Sequence, residues 1–322
     1  MFSTLLLLGS TLLSAFVQGY SNPGACSGAC WAHDPSIIQR ASDGKYFKFN
    51  TGAGIYIYKA DAIEGPWTQE GVALASGSSI DLAGNTDLWA PDVHLVDGIY
   101  YMYYAVSTSG SQDSAIGLAT SSTMEVGSWT DKGSIGVTSS SSKAYNAIDP
   151  NLIQVGSVNL LNFGSFWHDI YQVELNSAGT KTAGSSSYNI EYNSTGTSPC
   201  EGSYMFYNDP YYYLLWSSGI CCGYDTSKPA QGYEYKIMMC RSKHSTTGFV
   251  DKNGDACTAN GGSILLESHG TTYGPGGQGV YDDTTNGLTL YYHYADTAVG
   301  LADADYLFGW NVLTWSNEWP AV

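Results

Sequence analysis

An all-β propeller is the architecture that this chain of 322 residues predicts, on three observations. The first is an internal repeat with a period of roughly 50 residues, the spacing of propeller blades. The second is the order inside each copy: an acid, a short apolar strand, a turn and an aromatic-rich strand. Where the copy is complete, a third strand comes next, closed by Gly-Trp or Gly-Phe. The third is that no segment sustains a 3.6-residue hydrophobic period, so no amphipathic helix is on offer.

The copies succeed one another along the chain. The first opens at Asp34 (HDPSIIQ) and runs through DGKYFKFNTGAGIYIYKA to GPW. The second opens at Asp92 (APDVHLVDGIYYMYYAVS), with IGLATS and GSW behind it. The third opens at Asp149 (AIDPNLIQVGSVNLLNFGSFWHDIYQVEL) and the fourth at Glu201 (CEGSYMFYNDPYYYLLWSS, EYKIMMCRS, TGF). A fifth, weaker copy begins near Gln278 with GQGVYDD and GLTLYYHYAD. Turns are marked by Asp43-Gly44, Asp97-Gly98, Asn208-Asp209-Pro210 and Asn286-Gly287. YYMYYAV and YYYLLWSS alternate poorly, as expected of strands buried on both faces between blades. The Ser/Gly-rich stretches 139–142 and 183–187 read as parts of long loops.

Residues 1–19 carry no charged side chain and are mostly apolar. They are too short for a stable membrane span and read as a secretory signal peptide. Residues 20–322 show no charged or Pro-rich linker, so one secreted domain, a monomer, is expected with no membrane contact. Twenty-nine acids against twelve bases give a net charge of −17. Nucleic acids and acidic polysaccharides are poor partners for such a chain, and a neutral polymer suits it better. Seven cysteines in a secreted chain favour disulfides and leave at least one unpaired. Cys26 and Cys30 could form a local staple, and Cys221 and Cys222 could either form a vicinal bridge or have two separate fates. The spacings match no zinc pattern. Asn193-Ser194-Thr195 is a glycosylation sequon.

In a propeller the first strand of every blade lines the central channel. Acids opening successive first strands therefore converge on its mouth. Converging carboxyls suit glycoside hydrolysis, which needs one acid to protonate the leaving oxygen and a second group to activate water or attack. Asp34, Asp149 and Glu201 are the candidate catalytic residues. Glu201 has the higher intrinsic pKa and the largely apolar neighbours Pro199, Tyr204 and Met205, which favour a general acid.

HDPSI, DLWAPDV, NAIDPNL, GSFW, the Cys-Glu-Gly-Ser-Tyr around Glu201 and YGPGGQGV together resemble glycoside hydrolase family 43. NPGACSGAC, the ICCGYDTSKPAQGYEYKIMMCRS run and the closing WNVLTWSNEWP resemble its fungal endo-1,5-α-L-arabinanases, over essentially the whole chain beyond the leader. The resemblance implies a five-bladed propeller that cleaves internal bonds of arabinan by inverting single displacement. It also implies Asp34 as general base, Glu201 as general acid and Asp149 as the residue that orients the acid and modulates its pKa. By the same carry-over Asp92 is structural, Trp89 is a sugar platform, and His33, Asn146 and Ser165 are sugar hydrogen-bonders. It places His293 at a calcium or other cation, although calcium prefers oxygen ligands. Relatives have a histidine where this chain has Gly277 or Gln278. An exo-arabinanase, an α-arabinofuranosidase or a β-xylosidase on the same fold, or a non-catalytic carbohydrate-binding propeller, are the alternatives. A binding module has no need of three converging acids.

Overall fold

The computed structural model describes residues 19–195 and 199–322. The expected leader, residues 1–19, lies outside the described residues apart from Gly19. The described chain forms a ring of five antiparallel sheets, each a simple meander. Blade 1 holds β1 (Ser36–Gln39), β2 (Tyr46–Asn50), β3 (Tyr56–Ala60) and β4 (Thr68–Val72). Blade 2 holds β5 (Trp89–Val96), β6 (Ile99–Val106), β7 (Ser114–Ser121) and β8 (Thr130–Ser139). Blade 3 holds β9 (Asn151–Val155), β10 (Val158–Phe163), β11 (Ile170–Leu175) and β12 (Tyr188–Glu191). Blade 4 holds β13 (Cys200–Asn208), β14 (Tyr211–Ser218), β15 (Lys236–Ser242) and β16 (Ser263–Leu266). Blade 5 has three strands, β17 (Thr272–Asp283), β18 (Gly287–Asp296) and β19 (Leu307–Val312), and a short hairpin of β20 (Thr314–Ser316) and β21 (Trp319–Ala321) ends the chain. All four turn signals fall between first and second strands, where the pattern put them.

The poor alternation of β6 and β14 has the expected cause. Tyr103 and Tyr104 on β6, and Tyr213, Leu214, Leu215 and Trp216 on β14, are all buried, because both faces of each middle strand pack against other blades. Successive interfaces are filled by separate apolar clusters, such as Phe47, Phe49, Met102 and Trp129 between blades 1 and 2. Leu118, Leu161 and Phe163 do the same between blades 2 and 3.

Polar clasps join the inner strands in register. Ser36 Oγ accepts the Val93 N–H (3.0 Å), Asp92 Oδ2 the Leu152 N–H (2.7 Å) and Asn151 Oδ1 the Met205 N–H (2.8 Å). Ser36 and Asn151 open their inner strands and Asp92 is the fourth residue of its own, and each holds the next blade's inner strand. This corrects the repeat as the sequence presents it. Asp34 and Asp149 align with Ala90, not with Asp92, and all three share a left-handed backbone (φ 43°, 56° and 46°). Asp92 aligns instead with Ser36 and Asn151. It is 4% exposed and also accepts His94 Nε2–H at 2.7 Å, so it is a clasp.

The ring closes through the N-terminal segment, which stands beside β19 where blade 5 lacks a fourth strand. Gly24 N–H donates to Trp310 O (2.7 Å) and Phe308 N–H to Cys30 O (2.8 Å). Lys48 is fully buried at this seam. Its ammonium donates to Trp31 O (2.9 Å) and lies over the rings of Tyr58, Trp67 and Phe308 at 4.6, 5.1 and 5.0 Å. Such a cage is worth about 2 kcal/mol when desolvated. Cys26–Cys30, Cys221–Cys222 and Cys240–Cys257 are bridged, which leaves Cys200 free and buried. The sequon sits on a loop after β12, with Ser194 and Thr195 exposed.

Candidate active site

One cavity of about 750 Å³ opens at the channel mouth, and Asp34, Asp149 and Glu201 all line it. Two of the acids precede a proline and take a left-handed turn just before the inner strand. For a non-glycine residue that backbone costs roughly 1–3 kcal/mol, and it persists only where the surroundings hold it. The turn lifts each carboxyl out of the blade's hydrogen-bond ladder and into the cavity. Glu201 stands one residue before Gly202, whose own left-handed φ of 59° does the same work in blade 4.

Asp34 is held as a carboxylate. Its Oδ2 accepts Nδ1–H of His33 (3.0 Å) and Oγ1–H of Thr51 (2.9 Å), and Thr51 Oγ1 in turn accepts the Ala90 N–H at 2.9 Å. Burial alone would raise its pKa, but His33 and Thr51 outweigh it and hold the carboxyl well below the usual range. Burial pulls His33 down, yet the Asp34 carboxylate wins and its pKa is raised. Glu201 is pushed the other way. Burial raises its pKa, the Asp34 charge adds to this, and the hydrogen bonds from Ser165 and Tyr235 offset part of it. Ser165 Oγ–H donates to Oε2 at 2.6 Å and the Tyr235 hydroxyl donates to Oε1. Asp149 is raised well above the ordinary value by burial and by the charges of Glu201 and Asp34. Its Oδ2 accepts the Gly202 N–H at 3.0 Å, which ties it to the residue beside Glu201. One cleft thus carries a carboxylate kept ionised and two carboxyls that favour protonation. That pairing can supply a base and an acid at once.

The remaining expected site residues divide. Trp89 lines the cavity half-buried, with its Nε1–H on Asp87 Oδ2 at 3.4 Å. His33 is engaged by Asp34 and is stacked on His293 and Tyr306, with ring centroids at 4.8 and 5.8 Å. Ser165 is committed to Glu201. Asn146 borders the cavity, but its Oδ1 accepts from Ser114 (2.7 Å) and Ser139 (3.3 Å) and its amide donates to Ser111 O. Its side chain holds the wall together. His293 is not on the inner strand. It is on β18 and faces the channel across β17, whose run of glycines leaves room for the ring. A Cβ on Gly277 would lie 2.6 Å from Asp34 Oδ1 and 2.7 Å from His293 Nδ1. Gln278 is buried and bridges blades, accepting from Ser217 Oγ–H (2.8 Å) and donating to Gly202 O (2.6 Å).

The chain matches the profile of the Glycosyl hydrolases family 43 across residues 26–320. It is 63% identical to "Arabinan endo-1,5-alpha-L-arabinosidase A" of Aspergillus aculeatus and 61% identical to that of Aspergillus niger, over all 322 residues and the whole of each relative. Among solved structures, a native Bacillus subtilis arabinanase superposes with a TM-score of 0.80 at 31% identity, covering 92% of this chain and 99% of that one. A Cellvibrio cellulosa α-L-arabinanase complexed with arabinohexaose superposes at 0.79 with 28% identity, covering 90% and 94%. The chain belongs to glycoside hydrolase family 43. It is a five-bladed glycosidase of that family, and the propeller expected from the repeat is the fold observed.

The cation expected of this family 43 chain meets a specific donor set. His33, Asp34 and His293 bring ligand atoms within 4.8 Å of one another. However, His293 Nδ1 already accepts the Asp34 N–H at 3.0 Å. Burial pulls its pKa down to about 3, so the ring is neutral and its proton sits on Nε2. That N–H is buried and has no partner among the described residues. An orphan donor suits a water, not a cation, so direct ligation by His293 does not fit.

Tyr235, Phe166 and Trp167 line the cavity and were missed in the sequence. Phe166 and Trp167 are 46% and 44% exposed, and both have left-handed backbones (φ 54° and 55°). An aromatic pair held open at a cleft leaves apolar ring surface facing the cavity. The GSFW run carried that signal, but the sequence could not tell an exposed pair from a buried one.

Proposed function

We propose that the protein is a secreted endo-1,5-α-L-arabinanase that cleaves arabinan, a neutral polymer, with inversion. The observation that carries this is the placing of two unlike carboxyls in one cleft, Asp34 ringed by the donors His33 and Thr51, and Glu201 buried beside Asp149. Asp34 takes a proton from water as that water attacks the anomeric carbon. Glu201 gives its proton to the departing glycosidic oxygen. Asp149, fixed to the Gly202 N–H, keeps Glu201 in place, and the charge of either buried carboxyl makes ionisation of the other harder. Trp89, Phe166 and Trp167 offer ring faces to flanking sugars. Endo action is favoured because the curated relatives named for it are more than 60% identical over their full length, and the substrate is the one their names carry. Secretion rests on the charge-free, apolar leader. No helix among the described residues is long and apolar enough to cross a membrane.

The test is kinetic and stereochemical. Asp34→Ala and Glu201→Ala are each expected to lower kcat on linear arabinan by roughly 10²–10⁴. With an activated aryl leaving group Glu201→Ala should recover in part, because protonation of that group matters less, whereas Asp34→Ala should not. Equal recovery would overturn the assignment. NMR of the first-formed anomer should show inversion, and a ladder of oligomers should mark endo cleavage. Net retention would make Asp34 a nucleophile, and a single short product would make the enzyme exo-acting.

A further inference from the structure

The vicinal disulfide Cys221–Cys222 lines the cavity, away from all three acids in the chain, and acid–base hydrolysis by those acids leaves it without a role. Its surroundings give it one. Cys222 Sγ lies 3.8 Å from Nε2 of His33. His33 spends its other nitrogen on Asp34, so the ring is pinned between the sulfur and the carboxylate. The bridge is anchored on both sides. Cys221 O accepts the Tyr306 hydroxyl at 2.9 Å, and Gly223 N–H donates to Asp303 Oδ1 at 2.8 Å. Tyr306 is also the ring on which His33 and His293 stack, at 5.8 and 5.4 Å. A disulfide between adjacent residues closes a small ring through one peptide unit and removes most of the freedom of that unit. A flexible loop could not hold a sulfur against an imidazole in this way.

We propose that the Cys221–Cys222 disulfide is a positioning element of the active site, which fixes His33 and, through it, the Asp34 carboxylate. The inference rests on the reading of Asp34 as the group that activates water. Opened to two thiols, the segment no longer presses Sγ on the ring. His33 gains freedom and the Asp34 carboxylate loses its aim. Small misplacements of a catalytic group cost up to about a hundredfold in rate. Because the sugar platforms are on other blades, the loss should fall on kcat and leave KM nearly unchanged.

A double-mutant cycle tests this. The Cys221→Ala/Cys222→Ala pair is expected to lower kcat on linear arabinan by roughly ten- to a hundredfold. In a His33→Ala background the same pair should cost almost nothing more, because the coupling already runs through the missing ring. Treatment of the wild type with a phosphine, which reduces the bridge to two thiols and is itself oxidised to the phosphine oxide, should reproduce the loss. The alanine pair should be insensitive to that treatment, which separates this bridge from the other two. Should the alanine pair misfold, the cycle is run with phosphine on the wild type and His33→Ala. Additive losses, an unchanged kcat, or a loss confined to KM would each overturn the proposal. The imidazole ¹⁵N resonances of His33, recorded without substrate, should shift on reduction. That arm stands even if the wild type fails to cleave arabinan, which would sink the proposed activity instead. Unmoved resonances would overturn the positioning role.

Discussion

At the scale of single residues, the site works by giving like groups unlike surroundings. Asp34 is surrounded by donors and stays charged, whereas Glu201 and Asp149 share a buried corner and resist ionisation. The basic limb of the kcat/KM profile should track Glu201, which must be protonated to act. Where Asp149 carries its charge before Glu201 does, that charge makes the ionisation of Glu201 harder, so removing it makes ionisation easier. Asp149→Asn is therefore expected to move the basic limb to lower pH, together with a fall in kcat. A limb that stays or moves upward in a pH–rate series rejects Asp149 as the modulator. Gly277 shows how close the packing is. It has a left-handed φ of 57°, and an added methyl would press on Asp34 and His293. Gly277→Ala should lower kcat by roughly ten- to a hundredfold while the protein stays folded, as checked by circular dichroism alongside the assay.

At the scale of the strand, the inner edge of blades 1, 2 and 3 does two jobs two residues apart. The left-handed residue faces the cavity, and the clasp residue binds the next blade. Asp92 differs from the other acids on this ground. Its carboxylate satisfies the Leu152 N–H and His94 inside the protein, and Asn151 approaches it at 3.4 Å. Asp92→Ala would strand these donors in a buried place. It is expected to cost roughly 1–3 kcal/mol of stability. In the assay, kcat per folded molecule should fall far less than in Asp34→Ala. A loss of kcat as deep as that of Asp34→Ala, with unchanged thermal stability, would return Asp92 to the catalytic set.

At the scale of the whole molecule, the site depends on closure of the ring. Asp34 comes from blade 1 and His293 from blade 5, and they meet because the N-terminal segment is sewn to β19. Gly24 lies against the indole of Trp310, where a Cβ would approach to 2.3 Å. Gly24→Val should therefore loosen the seam at a cost of roughly 1–3 kcal/mol and lower Tm by several degrees. Activity measured well below Tm should hold. A Tm unchanged in calorimetry would show that closure is carried elsewhere, with the Lys48 cage the next contact to test.

The sequence by itself determined what is local and repeated. Strands with their turns at Asp43-Gly44, Asp97-Gly98 and Asn286-Gly287, five copies, and acids at the entrances of blades 1, 3 and 4 come from turn chemistry and the period. The family's motifs named the same acids. Only the tertiary structure decided what depends on residues far apart in the chain meeting. It moved the blade-2 equivalent of Asp34 from Asp92 to Ala90, because the true alignment tracks backbone handedness and interblade hydrogen bonds that letters do not show. It engaged Asn146 with Ser114 and Ser139, and Ser165 with Glu201, partners that come from other strands. It placed Tyr235 on Glu201 and Cys222 on His33, contacts between residues separated by long stretches of chain. A strand buried on both faces loses the alternation that would reveal which side chain points where. In a propeller that direction is set by the neighbouring blade.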